Sequence, residues 1–207
     1  MVAKKSKIEI SLTDFIDFVC KVGKSKQTHV KTIKNRPPYD PNTDFYKALR
    51  EGIVHIHKDK INRKDALEKL LKGLTDQKKI TNYPTAITGY KKFWGKKTLK
   101  WFGPPSHHWI VGDLGVSINP ELGLECDDKF YVIKLYMKSE KLTKDRIQQI
   151  LSLMEDQLRN KTGKEVLFAV LDVKNNGTLH VNEKRDKSYL PLLKGEASSF
   201  ESIWKDL

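Results

Sequence analysis

Lysines and aromatic rings share one short segment of the chain, KKFWGKKTLKW at residues 91–101. Lysine ammonium groups neutralise phosphates and an exposed tryptophan stacks on a base, which is typical of contacts with single-stranded or flexible nucleic acid. The alternative is that the rings belong to the core and the lysines are its solvated rim, and only the exposure of the rings decides between the two. The candidate contacts are Lys91, Lys92, Trp94, Lys96, Lys97, Lys100 and Trp101.

A second basic stretch, residues 21–36, holds six lysine or arginine residues and no acidic residue. It is poor in apolar residues and contains Thr28, His29 and Asn35 as hydrogen-bond donors. The pattern predicts a loop or helix that contacts phosphates, with a merely solvated surface as the alternative. The candidate contacts in this stretch are Lys24, Lys26, Lys31, Lys34 and Arg36.

The positive charge of the chain is concentrated in its first half. The whole sequence has a formal net charge of +13, and residues 1–104 carry 24 Lys and Arg against 10 Asp and Glu. The remainder is nearly neutral. A concentrated positive field attracts polyanions, so the sequence predicts a nucleic-acid-binding protein that acts mainly through phosphate contacts. A module that binds an acidic protein partner, and a basic surface with no ligand, are the alternatives.

Metal and covalent chemistry find little support in the residue pattern. His55 and His57 lie two apart in a predicted helix, and His107 and His108 are adjacent in a predicted strand, so each pair points in different directions. The two cysteines exclude a disulfide scaffold and a four-cysteine zinc site on count. We therefore expect no cofactor, no resident metal and no evident catalytic site.

Several acids still have to be weighed as catalytic residues. Asp127-Asp128-Lys129 and Asp172-Val173-Lys174 each have an acid two residues before a lysine. The first lies in a predicted turn and the second at the end of a predicted strand. The weak catalytic candidates are Asp113, Glu125, Asp127, Asp128, Asp172 and Lys174. Glu121 lies in a predicted turn between strands and is expected to be exposed.

Over residues 109–182, the order of predicted elements resembles the core of the PD-(D/E)XK nuclease family. The family holds an acid on one strand and an acid-x-Lys on the next, where two carboxylates bind a divalent metal. The resemblance implies a nuclease dependent on Mg²⁺, or an inactive relative of that fold. At the expected strand this chain reads Ile133-Lys134-Leu135-Tyr136, which contains no acid.

Hydrophobic periodicity predicts an α+β fold in which a basic helical region precedes a β-sheet. Helices are expected from Ser11 or Thr13 to Val22, after caps at Thr43 and Asn62, and from Pro84. The sheet region is expected to run strand, strand, strand, helix, strand, strand, with an antiparallel or mixed sheet and a C-terminal helix. Asn176-Gly177 predicts a hairpin turn. The expected strands are 109–119, 122–126, 130–138, 166–173 and 178–181, and the intervening helix includes 147–158.

Pro104-Pro105 is the only plausible domain boundary. It divides the chain into a basic helical region at 1–104 and an α+β sheet region at 105–207, unless the two pack as one domain. No apolar run reaches the 18 to 20 or so residues that span a bilayer, and the start of the chain has no apolar signal core. These features predict a cytoplasmic protein with no membrane contact and leave the oligomeric state open.

Overall fold

The computed structural model describes residues 6–38, 40, 44–61, 65–182 and 187–207. In the described residues one strand precedes five helices, five strands follow, and a helix, two strands and a final helix complete the order, with a short 3₁₀ turn at Arg159–Lys161 after the sixth helix. The helices are α1 Leu12–Val19, α2 Lys24–Lys34, α3 Lys47–Lys58, α4 Asp65–Lys69, α5 Gln77–Trp94, α6 Lys144–Leu158 and α7 Tyr189–Asp206. The strands are β1 Ile8–Ser11, β2 Lys100–Phe102, β3 His107–Val111, β4 Leu114–Ile118, β5 Leu122–Cys126, β6 Lys129–Tyr136, β7 Leu167–Asp172 and β8 Thr178–Val181.

The central sheet has the strand order β2-β5-β6-β7-β8. β6 and β7 are parallel, and α6 connects them, while the other neighbouring pairs are antiparallel. A parallel pair needs such a crossover, because its strands run in the same direction. The α+β class, the mixed sheet and the C-terminal helix are confirmed.

A second, three-stranded sheet has the order β1-β4-β3, with β1 parallel to β4. The sequence predicted one strand over residues 109–119, and this is wrong, since the segment folds into the hairpin of β3 and β4. Gly112 has a φ of 60° at the turn, a conformation that glycine adopts without steric cost. β1 was not predicted, because four residues provide too short a pattern.

Two hydrophobic cores lie on opposite faces of the central sheet. Alternate residues of β6 enter different cores, as in any strand covered on both faces: Val132 and Tyr136 enter one, Ile133 and Leu135 the other. We call the first the α6-side core; it contains α1, α2, α6, α7 and the three-stranded sheet. The second, the α5-side core, contains α3, α4 and α5.

Both cores take residues from each side of residue 104. β1 pairs with β4, and α1 packs on α6, so the basic N-terminal residues are distributed around elements of the second half. No break in either core coincides with Pro104-Pro105. The two regions therefore contact each other extensively through the central sheet.

Helix starts agree with the sequence where capping residues were identified correctly. Ser11 caps α1 by accepting a hydrogen bond from the Asp14 amide at 3.0 Å, as expected. α5 starts at Gln77 instead of Pro84, because Asp76 accepts from the amides of Lys78 and Lys79, and Pro84 lies inside the helix. Thr43 and Asn62 lie outside the described residues.

Within the described chain, no helix is both long enough and apolar enough to cross a membrane.

Candidate nucleic-acid interface

The two basic stretches lie on opposite faces of the central sheet. α2 inserts Val30 and Ile33 into the α6-side core. α5 inserts Tyr90 and Phe93 into the α5-side core. The candidate lysines of the first half therefore form two separate surfaces.

On the α2 surface, half of the basic residues already have partners within the protein. Lys26 forms an ion pair with Glu196, and Arg36 donates to both carboxylate oxygens of Asp14 at 3.0 and 3.2 Å. Lys34 donates to the Trp204 carbonyl at 2.8 Å. Lys24 and Lys31 are exposed and have no carboxylate partner among the described residues. This surface offers few free charges to a polyanion.

The helical layer, defined as α3, α4 and α5 with their connections at residues 44–97, carries more charge. Its sequence holds 14 lysine or arginine residues against 6 aspartate or glutamate. Its acids are engaged, for example Glu68 with Lys91 and Asp76 as the cap of α5. Eight of its lysines have neither a carboxylate nor a backbone-carbonyl partner within the described part of the chain. They are Lys58, Lys60, Lys69, Lys72, Lys78, Lys79, Lys92 and Lys96.

The lysine–aromatic segment at 91–101 is divided between core and surface. Trp94 is only 4% exposed, and its indole N–H donates to the Lys97 carbonyl at 3.1 Å. Trp94 therefore cannot serve as a stacking residue, which corrects the expectation from the sequence. Trp101 is half-buried on β2 against the same core. Lys91 pairs with Glu68 and Lys100 with Glu125, and Lys97 donates to the Phe93 carbonyl. Among the described residues, Lys92 and Lys96 have neither a carboxylate nor a backbone-carbonyl partner, and Lys92 donates to the side-chain amide of Asn176.

An open cleft of about 640 Å³ lies between α3 and the C-terminal end of β6. Both halves of the sequence supply its charges. Its cations are Arg50 and Lys58 from α3, and Lys134 and Lys138 from β6 and the residues after it. Its carboxylates are Asp44, Glu51 and Glu121.

A buried ion pair joins Glu121 to Lys134 in this cleft. The Lys134 ammonium lies 2.5 Å from Glu121 Oε1, and the Leu135 amide donates to Oε2 at 2.8 Å. Each side chain is 12% exposed, so the expectation that Glu121 is exposed is wrong. The antiparallel register of β5 and β6 places Leu122 opposite Ile133, which brings the preceding Glu121 beside Lys134. The sequence analysis did not predict this pair. The available signal was that Pro120-Glu121 directly precedes a strand, which places Glu121 beside the neighbouring strand.

Two of the other three cations of the cleft are also held by carboxylates. Arg50 lies 2.7 Å from Asp44, and Lys138 pairs with Asp17 of α1. Arg146 of α6 is buried and lies 3.5 Å from the same Asp17. Carboxylates therefore fix the positions of three cleft cations, while Lys58 is exposed at the rim and has no carboxylate partner in the described regions.

The structure does not bring the proposed catalytic acids together. Asp113 pairs with Lys205 at 3.1 Å, and Glu125 pairs with Lys100 at 2.7 Å. Asp127 and Asp128 lie exposed in the β5–β6 turn with φ values of 50° and 56°.

Asp172 and Lys174 lie at the C-terminal end of β7, where both form hydrogen bonds to other residues of the protein. Asp172 is buried and accepts hydrogen bonds from the amide and side chain of Asn175. Lys174 donates to Tyr46, Asn82 and Ser139.

Over 6–38, 40, 44–61, 65–182 and 187–207, no three His, Cys, Asp or Glu side chains form a group that could hold a metal ion. Comparisons of the chain with protein-family models, curated proteins and solved structures found no match.

Proposed function

We propose that the protein binds nucleic acid through phosphate contacts on the helical layer and in the cleft beside it. The observation that carries the proposal is the set of eight lysines in this layer without a carboxylate or backbone-carbonyl partner in the described chain. Such cations release condensed counterions when they meet a phosphate backbone, and this release favours binding. The α2 surface has fewer such residues and is the weaker candidate.

The cleft adds to the proposal mainly through Lys58, which is exposed at its rim and extends the charge of the helical layer. Arg50, Lys134 and Lys138 are each paired with a carboxylate, so they offer less free charge to a phosphate, as do the paired residues of the α2 surface.

We expect little sequence preference in this binding. Phosphate contacts position a nucleic acid but carry no information about its bases. Trp94 is buried, and the free groups of the helical layer are mainly lysines. Salt concentration, more than base sequence, should therefore control the affinity.

Salt-dependent binding of labelled DNA and RNA, single- and double-stranded, tests the proposal. Anisotropy from about 50 to 300 mM salt should give a linear log–log plot, with a slope that reports the number of phosphates neutralised. Lys72→Gln with Lys78→Gln should reduce that slope by about two. Lys24→Gln with Lys31→Gln removes the same charge from the α2 surface and should leave the slope nearly unchanged. Absence of binding at about 50 mM salt, or equal losses in both variants, would refute the proposed interface.

An acidic protein partner would meet the same positive field. Polyglutamate offers similar charge without a phosphate backbone, so competition between it and labelled DNA separates the two ligand classes. With both concentrations expressed as negative charges, nucleic-acid binding predicts that much less DNA is needed to displace polyglutamate than polyglutamate to displace DNA. Equal displacement would favour the acidic protein partner.

Metal-dependent cleavage is a second candidate, because Glu121 and Lys134 match part of the PD-(D/E)XK pattern. They lie before one strand and on the next, within hydrogen-bonding distance. The residues do not fit the two-carboxylate metal site of that pattern, however, because Val132 stands two residues before Lys134, where the second acid is required. Both Glu121 oxygens also accept hydrogen bonds from the protein.

Incubation with plasmid and single-stranded DNA in Mg²⁺ or Mn²⁺ separates binding from cleavage. We expect binding without cleavage, since the second carboxylate is replaced by a fully buried valine. Cleavage by the purified protein that disappears in Glu121→Gln, while DNA affinity is retained, would establish the nuclease alternative.

A further inference from the structure

A narrow groove lies between α5 and the turn that connects β7 to β8. Its volume is about 310 Å³, and its polar lining consists of Thr85, Thr88, Lys92, Lys174 and Asn176. No carboxylate of the described residues lines it. This composition distinguishes it from the larger cleft, where three of the four cations contact acids.

The two lysines of the groove bond to neutral oxygens. Lys92 donates to Asn176 Oδ1 at 3.0 Å. Lys174 donates to Asn82 Oδ1 and Ser139 Oγ at 3.0 Å each, and to the Tyr46 hydroxyl at 3.2 Å. These acceptors fix the ammonium groups but do not neutralise them. Two positive charges therefore remain uncompensated beside the groove.

Two threonine hydroxyls provide donors next to these charges. Thr85, Thr88 and Lys92 lie three and four residues apart on α5, so they share one exposed helical face. Thr81 in the preceding turn donates to the Gln77 carbonyl, four residues before it. Thr85 and Thr88 make no such bond to the described residues. Their hydroxyls are free to donate to a ligand.

Close backbone packing holds the two sides of the groove in position. A Cβ on Gly89 would lie 1.8 Å from the Val173 carbonyl oxygen, and one on Gly177 would lie 1.9 Å from the Gly89 carbonyl oxygen. Asn176 and Gly177 have φ values of 68° and 64°, so the turn has the left-handed geometry of a tight hairpin. The groove is therefore preformed by backbone packing.

We propose that this groove binds a phosphate group. Lys92 and Lys174 supply the charge, the Thr85 and Thr88 hydroxyls donate to phosphate oxygens, and Asn176 orients Lys92. The Lys92 ammonium keeps two N–H donors for phosphate oxygens, and such charge-assisted hydrogen bonds are stronger than neutral ones. The three N–H groups of Lys174 already donate to the protein, so Lys174 contributes only its charge. The phosphate belongs either to a free small anion or to a nucleic-acid strand, and the inference does not require the proposed nucleic-acid binding.

Calorimetric titration with inorganic phosphate and with pyrophosphate tests this site directly. We expect saturable binding in the millimolar range at low ionic strength. Lys92→Gln should weaken it about tenfold, and Thr88→Val should weaken it less. Lys164→Gln removes an exposed lysine outside both the groove and the helical layer and should leave phosphate affinity unchanged. A thermal melt of each variant checks that the fold is retained.

The outcomes separate this inference from the proposed function. No saturation up to about 20 mM phosphate, or equal loss in Lys92→Gln and Lys164→Gln, overturns the site. Phosphate binding that persists in a protein with no affinity for DNA or RNA upholds the groove and refutes only the nucleic-acid proposal. If Lys92→Gln weakens both phosphate and oligonucleotide binding, the groove holds a phosphate of the strand.

Discussion

Nε2 of His57 lies 2.7 Å from the hydroxyl oxygen of Tyr90, and both side chains are buried in the α5-side core. Nδ1 of the same ring is buried and has no hydrogen-bond partner among the described residues. Burial disfavours the charged imidazolium and lowers the pKa of His57 from 6.5 to about 4. The ring is therefore held neutral at physiological pH.

This buried histidine predicts a loss of stability in mild acid. The unfolded chain takes up a proton on His57 as the pH falls through 6.5, whereas the folded chain does so only near its lowered pKa of about 4. The free energy of unfolding should therefore fall by about 3 kcal/mol between pH 7 and pH 4 from this residue alone. Urea unfolding at a series of pH values measures the change.

His57→Gln is the matched variant, because glutamine is polar but does not titrate in this range. It should flatten the pH dependence between 6.5 and 4, whatever its stability at pH 7. Hydrogen bonding lowers the pKa of Glu140 beside Arg146 and of Glu201 beside Lys205, so the stability that these carboxylates contribute is lost only as the pH falls to their ordinary value of 4.5 and below, and this loss remains in the variant. An unchanged pH profile in the variant would contradict the role of His57.

The ion pair of Glu121 and Lys134 predicts strong energetic coupling. Removing one partner leaves the other charge buried, so Lys134→Met should destabilise the protein by about 3 kcal/mol, and Glu121→Gln by a comparable amount. The double variant leaves no uncompensated charge and should be clearly less destabilised than the sum of the two. Urea unfolding of the four proteins at pH 7 gives the coupling, and strictly additive losses would contradict it.

The close packing around Gly89 predicts that even the methyl group of an alanine is not tolerated at this position. The new Cβ of Gly89→Ala would meet the Val173 carbonyl, which is backbone and cannot turn aside. We expect a loss of more than about 3 kcal/mol. Gly195 in α7 has no atom within 4 Å of its added Cβ, and Gly195→Ala should stabilise the helix by about 0.5 to 1 kcal/mol. Thermal unfolding of both variants checks the opposite signs, and a tolerated Gly89→Ala would argue against the close packing of α5 on the turn.

The two cysteines should differ in reactivity. Cys20 is exposed, with its Sγ 3.4 Å from Nε of Arg146, whereas Cys126 is 7% exposed, and burial raises the pKa of its thiol. A thiol reagent at pH 8 should modify Cys20 rapidly and Cys126 only when the protein unfolds. The thiolate is the reactive form, and burial disfavours it at Cys126. Cys20→Ser should remove the fast phase, and a fast phase that survives in this variant would contradict the assignment.

Much of the fold follows from local patterns in the sequence. The apolar spacing of Ile147, Ile150 and Leu151 predicts α6, and Asn176-Gly177 predicts the hairpin between β7 and β8. Ser11 marks the start of α1 through its capping hydroxyl. In each case, neighbours within a few residues determine the conformation, so a single sequence contains the necessary information.

The candidate interface depends on contacts between distant segments, which local patterns do not contain. Glu121 reads as a turn residue and Lys134 as a polar strand residue, and only the register of β5 and β6 makes them a pair. The sequence likewise places all the positive charge in one half, whereas packing divides it between the two faces of the sheet. The free lysines of the helical layer can be identified only once the ion pairs of Lys47 with Glu51 and of Lys91 with Glu68 are known.

The pairing of β1 with β4 has a consequence for the order in which the chain folds. Ile8 aligns with Leu114, so the first described strand has no partner until the whole helical layer, residues 44–97, has been synthesised. α1 follows β1 directly and packs against α6 and α7, which are made later still. Because pairing between remote segments must first close a long loop, the N-terminal strand and helix dock late. A nascent chain at the ribosome therefore carries its cationic helices before it has the sheet that will separate them.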